Sequence, residues 1–438
     1  MQSFLSKTLL LLTLLVSASV LADTEKTTIE KFTSSFDEQQ GFFTFYHDEA
    51  KGKFYLEVPK SDRQFILQTS LPWGLGSNDI GLDRGQLGET RLASFHIEGN
   101  TALLLQHNTQ FRAQTRNPAE RNSVQQAFAG SVLHGFDIVA SNNENVLIDY
   151  TPYLLTDVHG VSKRLQQTEQ GQFKADASRS VVYPERSKAF VENTELEAKV
   201  TFVGDGKGQW VNQVAANADA ISLHLHHSFI KLPDTAYQPR NFHPNSGFWA
   251  HSFKDYAAPL GESMTVQYIP RHRLNKEDPI ASQSQAREPI IYYLDPGAPE
   301  PVKTALLEGA RWWAEGFEEL GYDNAFQVKV LPDDADPMDV RYNVIQWVHR
   351  ATRGWSYGSS VIDPRTGEII KGHVTLGSLR VRQDMKIAEG LLTPFIDDAG
   401  ELKEAVQKMA LARIRQLSAH EIGHTLGIAH NFAASTSN

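Results

Sequence analysis

The sequence predicts a multidomain protein in which a large, mostly antiparallel β region precedes a smaller α/β domain, and three observations carry that expectation. At 438 residues the chain exceeds what one ordinary core holds. Hydrophobic residues at 41% and charged residues at 21% are globular proportions, so disorder is not the default. The texture also changes once, at the polar, proline-flanked stretch 275–289, "NKEDPIASQSQAREP", which reads as a connector.

Ahead of that connector, residues 23–274 read as short β-rich runs broken by turn residues: "FFTFYH", "KFYLEVP", "QFILQTSL", "TALLLQH", "NVLIDYTPYLL" and "ISLHLHHSFIKL". On this reading the region holds two modules that meet between Asp157 and Ser180. The glycines of "GDGKG" (204–208) suggest a phosphate loop, but no helix-opening Gly-Lys-Ser/Thr follows, so a hairpin turn is expected. His224, His226 and His227 invite a metal reading, since the first two share a strand face. Without a third ligand at a recognisable spacing they are expected to be ordinary strand histidines.

After the connector, "IIYYL" (290–294) is a strand, and Pro301 opens a helix. Its apolar face is Val302, Leu306, Ala310, Trp313, Phe317 and Leu320, at steps of three and four, with Gly321 where a C-terminal cap belongs. "FQVKVL" (326–331) and "NVIQWV" (343–348) are strands, and "SSVIDPRTGEIIKGHVTL" (359–376) is a hairpin. The last element is a helix from about Glu401, striped by Val406, Ala410, Ile414 and Leu417, and the same steps reach Glu421 and His424.

Residues 1–22 have the anatomy of a cleaved secretory signal: one cation at Lys7, an apolar run from Leu9 to Val16, and small residues ending at Ala22. The mature chain is therefore expected outside the cytoplasm, in the periplasm or secreted, and no later stretch is apolar enough to span a bilayer. Cysteine is absent, so the fold rests on packing and on any metal it binds. A formal charge of -10 disfavours a nucleic-acid partner.

The chemistry concentrates in "HEIGHTLGIAH" (420–430). Residues four apart on a helix stand one turn above each other, so His420 and His424 can aim imidazole nitrogens at one point. Glu421 is rotated about 100° around the axis, beside the open face of such a metal, where it can act on water without being a ligand. Gly427 can take the left-handed conformation that ends a helix and turns the chain, which lets His430 supply a third nitrogen. Three protein nitrogens with one open position describe a catalytic zinc site, whereas a structural site is usually closed by four. His373, on the second arm of the hairpin, is then expected to be a strand residue and not a ligand.

The spacing of His420, Glu421, His424, Gly427 and His430 resembles the signature of the metzincin clan of zinc endopeptidases. With the upstream "DPRTGEI" (363–369), "HEIGHTLGIAHNFAAS" looks like exported bacterial zinc-dependent metalloproteases that carry large β-rich regions before the catalytic domain. The resemblance implies that residues 290–438 form a metzincin-like zinc protease domain acting on a protein or peptide substrate, with Glu421 as general base. An extended peptide is expected to lie along an edge strand, for which the hairpin's first arm, Ser359, Ser360, Val361 and Ile362, is the candidate, with an ordinary edge hairpin as the alternative. Metzincins place a methionine turn beneath the metal after the third histidine. "NFAASTSN" (431–438) has no methionine, so the chain is expected to be the front part of a longer or truncated protein, with His430 loosely held. The alternative function is a non-catalytic envelope binding protein with a remnant zinc helix.

Overall fold

The computed structural model describes residues 27–351 and 354–436. The secretory-signal segment, 1–22, lies outside the described residues.

The β region is built on one 12-stranded sheet. In sheet order its strands are Asp37–Gln39, Phe45–Asp48, Lys53–Pro59, Asn145–Asp149, Ser131–Ser141, Thr101–Gln106, Gln86–Glu98, Gln64–Trp73, Ala220–Lys231, Asn193–Gly204 and Phe173–Val182, and Lys188–Ala189 flanks Asn193–Gly204. Neighbouring strands run antiparallel. Residues 157–180 do not interrupt this sheet, because Ala220–Lys231 inserts directly beside Gln64–Trp73. That pairing joins segments far apart in sequence, where no local pattern announces it.

One face of the sheet closes over a phenylalanine-rich core that includes Phe43, Phe45, Phe54, Phe65, Phe95, Phe202 and Phe229. The other face is also covered at its centre. Phe65 and Leu67 enter the main core, while Ile66, pointing the opposite way as strand alternation requires, joins Ile230, Val340 and Val361 in a second cluster. Burial on both faces explains why these strands read as continuous apolar runs.

Val340 and Val361 belong to the second region, a 6-stranded sheet. Its parallel strands lie in the order Phe326–Val330, Ile290–Leu294, Asn343–Val348 and Glu368–Gly377. Tyr357–Ile362 adds antiparallel beyond Glu368–Gly377, as the hairpin pattern leads one to expect. Arg271–His272, upstream of the connector, contributes a short parallel strand beside Glu368. The helices Val302–Glu319 and Ala399–Thr425 pack over this sheet, with Leu306, Ala310, Ile414, Ile422 and Leu426 meeting Tyr292, Trp347 and Val374.

Several local expectations fail for identifiable reasons. "TPYLL" leaves the strand Asn145–Asp149 and coils as Thr151–Leu154, with Pro152 in the first turn. "GDGKG" is not a tight hairpin turn, since Gly208 caps a short helix, Gln209–Val214. Pro118–Ala127 is a helix that the β-rich reading of this region does not include, opened by proline after the Asn117 cap. Leu320 follows the last helical residue and is exposed.

Charged side chains are buried around the contact between the two sheets. Asp83 accepts from Arg350 Nε at 2.8 Å with both groups buried, while at the exposed rim of the contact Lys188 reaches Asp336 at 2.6 Å. His226 sits between Glu195 and Glu197, which also accepts from His224 Nδ1 at 2.7 Å and Arg186 Nε at 3.1 Å. Burial opposes a charge on His226, but the two carboxylates outweigh it and push its pKa up to about 9. Replacing His226 with Gln leaves a buried carboxylate poorly paired and is expected to cost about 3 kcal/mol, read as a lower Tm. A cation whose folded pKa is raised contributes fully below its unfolded value of 6.5 and loses that contribution as pH rises through about 9. The Tm gap between wild type and His226→Gln should therefore be wide near about pH 6 and narrow near about pH 10. A gap independent of pH would show that His226 is not charged in the fold.

Candidate metal centre

The helix that carries the motif begins where Asp398 accepts a hydrogen bond from the Glu401 amide at 2.7 Å, and it runs from Ala399 to Thr425. Val406, Ala410 and Ile414 are buried along it as the stripe predicts, and Leu417 packs partly buried against the same core. Close backbone approaches hold it in place. A side chain at Gly309 would lie 2.1 Å from the Arg415 carbonyl, and one at Gly358 would lie 2.1 Å from the Glu421 carbonyl. From the helix side, a Cβ at Gly423 would press on the Trp313 ring at 2.8 Å, and the Trp313 indole donates to the Ala419 carbonyl at 2.8 Å.

The Nε2 atoms of His420 and His424 lie 3.2 Å apart, and that of His430 lies 3.1 Å from His424 and 3.2 Å from His420. His424 Nδ1 donates to the Ile428 carbonyl at 2.8 Å, so its Nε2 is left as the bare nitrogen. Burial, with His424 and His430 alongside, holds the His420 pKa below the usual imidazole range. Bare lone pairs this close repel unless a cation lies between them. A tetrahedral zinc with Zn–N bonds of about 2.0–2.1 Å separates its nitrogens by about 3.3 Å, so the three residues fit that ion.

The backbone leading to His430 is fastened to the β region. After the helix, Gly427 adopts φ 94°, and a Cβ there would meet the Pro270 carbonyl at 2.0 Å. The following residues pair with a segment of the β region: Phe248 bridges Ile428, Trp249 N–H donates to the Gly427 carbonyl at 2.9 Å, and Ala429 N–H donates to the Gly247 carbonyl at 2.8 Å. Nothing in the sequence marks residues 247–249 as part of the site, because the contact joins positions far apart along the chain.

Glu421 is buried, its carboxyl beside the Gly358 backbone amide, and burial pushes its pKa up to about 7. Behind it, Thr425 shares a hydrogen bond of 2.7 Å with the Tyr292 hydroxyl, which lies 3.3 Å from His272 Nε2. Open to solvent above the histidines is a cleft of about 670 Å³. Trp249, Trp355, Tyr357, Arg380 and Arg413 line it, together with His420, Glu421, His424 and His430. Ser359, Ser360, Val361 and Ile362 all lie on the outer strand, Tyr357–Ile362, but the cleft is lined by Ser356, Tyr357 and Gly358, just before them. Ser360 instead donates to the Thr425 carbonyl at 3.3 Å, and Val361 is buried against the large sheet. His373 is buried between the sheets with Gln346 and Lys371 and is not among the converging histidines. His224 and His226 are likewise engaged with carboxylates, and among the described residues only His420, His424 and His430 form a group that could hold a metal.

Gly427→Ala should weaken zinc binding by roughly tenfold or more, because it strains a left-handed residue and drives a methyl group into the Pro270 carbonyl. Competition against a chromophoric chelator measures this. Unchanged affinity would show that the turn does not set the position of His430.

Three family models match parts of the chain. A domain of unknown function (DUF5118) matches residues 26–74, and another (DUF5117) matches residues 85–277. A model described as Met-zincin matches residues 403–438, the stretch that carries the motif helix and the third histidine. No curated protein and no solved structure matches. The Met-zincin match and the converging histidines are together compatible with zinc and hint at a metzincin-like region.

Proposed function

We propose that this chain is a zinc-dependent endopeptidase. The observation that carries the reading is the convergence of three imidazole Nε2 atoms, 3.1 to 3.2 Å apart, beside a buried carboxyl at the floor of an open cleft. Zinc held by His420, His424 and His430 supplies Lewis-acid polarisation of a carbonyl and makes water more acidic. Glu421, placed beside that position, takes the proton of the attacking water and returns it to the leaving nitrogen. Tyr357 and Gly358 begin an outer strand whose backbone can add an extended peptide as a further strand, with Trp249 and Trp355 as apolar walls. No helix among the described residues is long and apolar enough to cross a membrane. The apolar segment at residues 9–16 supports placing the activity outside the cytoplasm.

Glu421→Gln should leave about one zinc per chain while lowering hydrolysis of a fluorogenic peptide roughly a hundredfold or more. His424→Ala should lose the metal itself. Metal analysis beside the peptide assay separates the two, and loss of zinc from Glu421→Gln would make that carboxylate a ligand and not a base.

A further inference from the structure

The chain carries a formal charge of -10, yet the cleft beside the histidines is cationic at one end. Among its lining residues Glu421 is the sole carboxylate, against Arg380 and Arg413. Arg413 precedes His420 by two helical turns, on the same face of the helix, and is exposed. Arg380 is anchored through Nε at 3.3 Å to Asp384, a buried residue of the helix Leu379–Leu392.

These groups have a direction relative to the reaction centre. Gly358 abuts the Glu421 carbonyl and Ser360 bonds the Thr425 carbonyl, so the outer strand and the motif helix advance together. Trp355, which precedes the strand, and Arg413, which precedes His420, therefore lie towards the same end of the cleft, and Arg380 is placed there by the second hollow it lines together with Trp355. Trp249 stands at the other end, its ring 6.0 Å from that of His424. Trp249 and Trp355 are 49% and 65% exposed, a large apolar surface for solvent to wet unless a ligand covers it.

We propose that the cleft selects peptides carrying a carboxylate side chain on the Arg380–Arg413 side of the bond to be cleaved. The proposal rests on the peptidase reading and names its substrate class. A carboxylate there meets one or both guanidinium groups in a solvent-exposed setting, where each such pair contributes roughly two- to fivefold in affinity. The effect is screened once the Debye length falls well below about 10 Å.

The test uses the full chain bearing Glu421→Gln, loaded with zinc, so that binding is read without cleavage. Two fluorescein-labelled octapeptides, identical except for Glu or Gln at one position, are titrated by fluorescence polarisation. The Glu peptide is expected to bind several-fold more tightly. That preference should disappear in about 0.5 M salt and in Arg413→Glu, and it should shrink in Arg380→Gln. Lys408→Glu makes the same charge change as Arg413→Glu on an exposed residue of the same helix that does not line the cleft, and it should keep the preference. Equal binding of the two peptides, an equal loss of preference in Lys408→Glu, or no binding of either peptide overturns the proposal. Hydrolysis of both peptides by the chain with Glu421 intact is scored separately, so binding without cleavage marks a failure of the peptidase reading alone.

Discussion

The short antiparallel pairing of Phe248 with Ile428 decides whether the three imidazoles constitute one site. A helix can bring His420 and His424 together unaided, because its own hydrogen bonds fix their spacing. Nothing inside that helix fixes His430. Its place is set by two backbone hydrogen bonds, Trp249 N–H to the Gly427 carbonyl and Ala429 N–H to the Gly247 carbonyl, and by a glycine backbone wedged against Pro270. The donors and acceptors that fasten the third nitrogen thus come from the β region. A region matched only by models of unknown function holds part of the scaffold of the candidate active site.

The same dependence recurs in the buried charges between the sheets. Arg350, paired with Asp83 of the large sheet's region, also donates to the Trp355 carbonyl at 3.1 Å, which ties one wall of the cleft to that region. Lys371 bonds the carbonyls of Pro337, at 2.6 Å, and Asp339, at 3.2 Å, within its own region and faces the carboxylate of Glu195 on the large sheet, and burial pulls its pKa down to about 8. Taking such groups out of water is costly, so their contribution to net stability is small. Displacing either partner strands a charge, however, and sliding one sheet over the other is therefore opposed far more strongly than apolar contact alone would oppose it.

What could be read from the sequence was whatever repeats with the period of one element. The motif helix was legible to its last residues because Val406, Ala410 and Ile414 mark one face, and the spacing of His420 and His424 depends only on helical geometry. The hairpin arms at 357–362 and 368–377 were legible from a local turn. The single 12-stranded sheet was not, since its joining pair, Gln64–Trp73 with Ala220–Lys231, closes over a long stretch of intervening chain. The helix Leu379–Leu392 escaped for another reason. Only Asp384 and Ala388 are buried in it, so no apolar stripe shows. Within the site, Trp249, Trp355, Arg380 and Gly358 carry no spacing signature, and only the folded chain brings them to the histidines.

Gly358 and Gly309 touch the motif helix where any larger residue would collide with a backbone carbonyl. Distances between side chains can be renegotiated by rotamer changes when neighbours are substituted, but a separation limited by bare backbone has no such slack. The helix is therefore gauged, like a shaft in fixed bearings, by two positions at which nothing can be added. Methyl groups can be exchanged elsewhere in the apolar core while the imidazoles stay in register, and tolerance to variation in that core is compatible with near-zero tolerance at these two glycines.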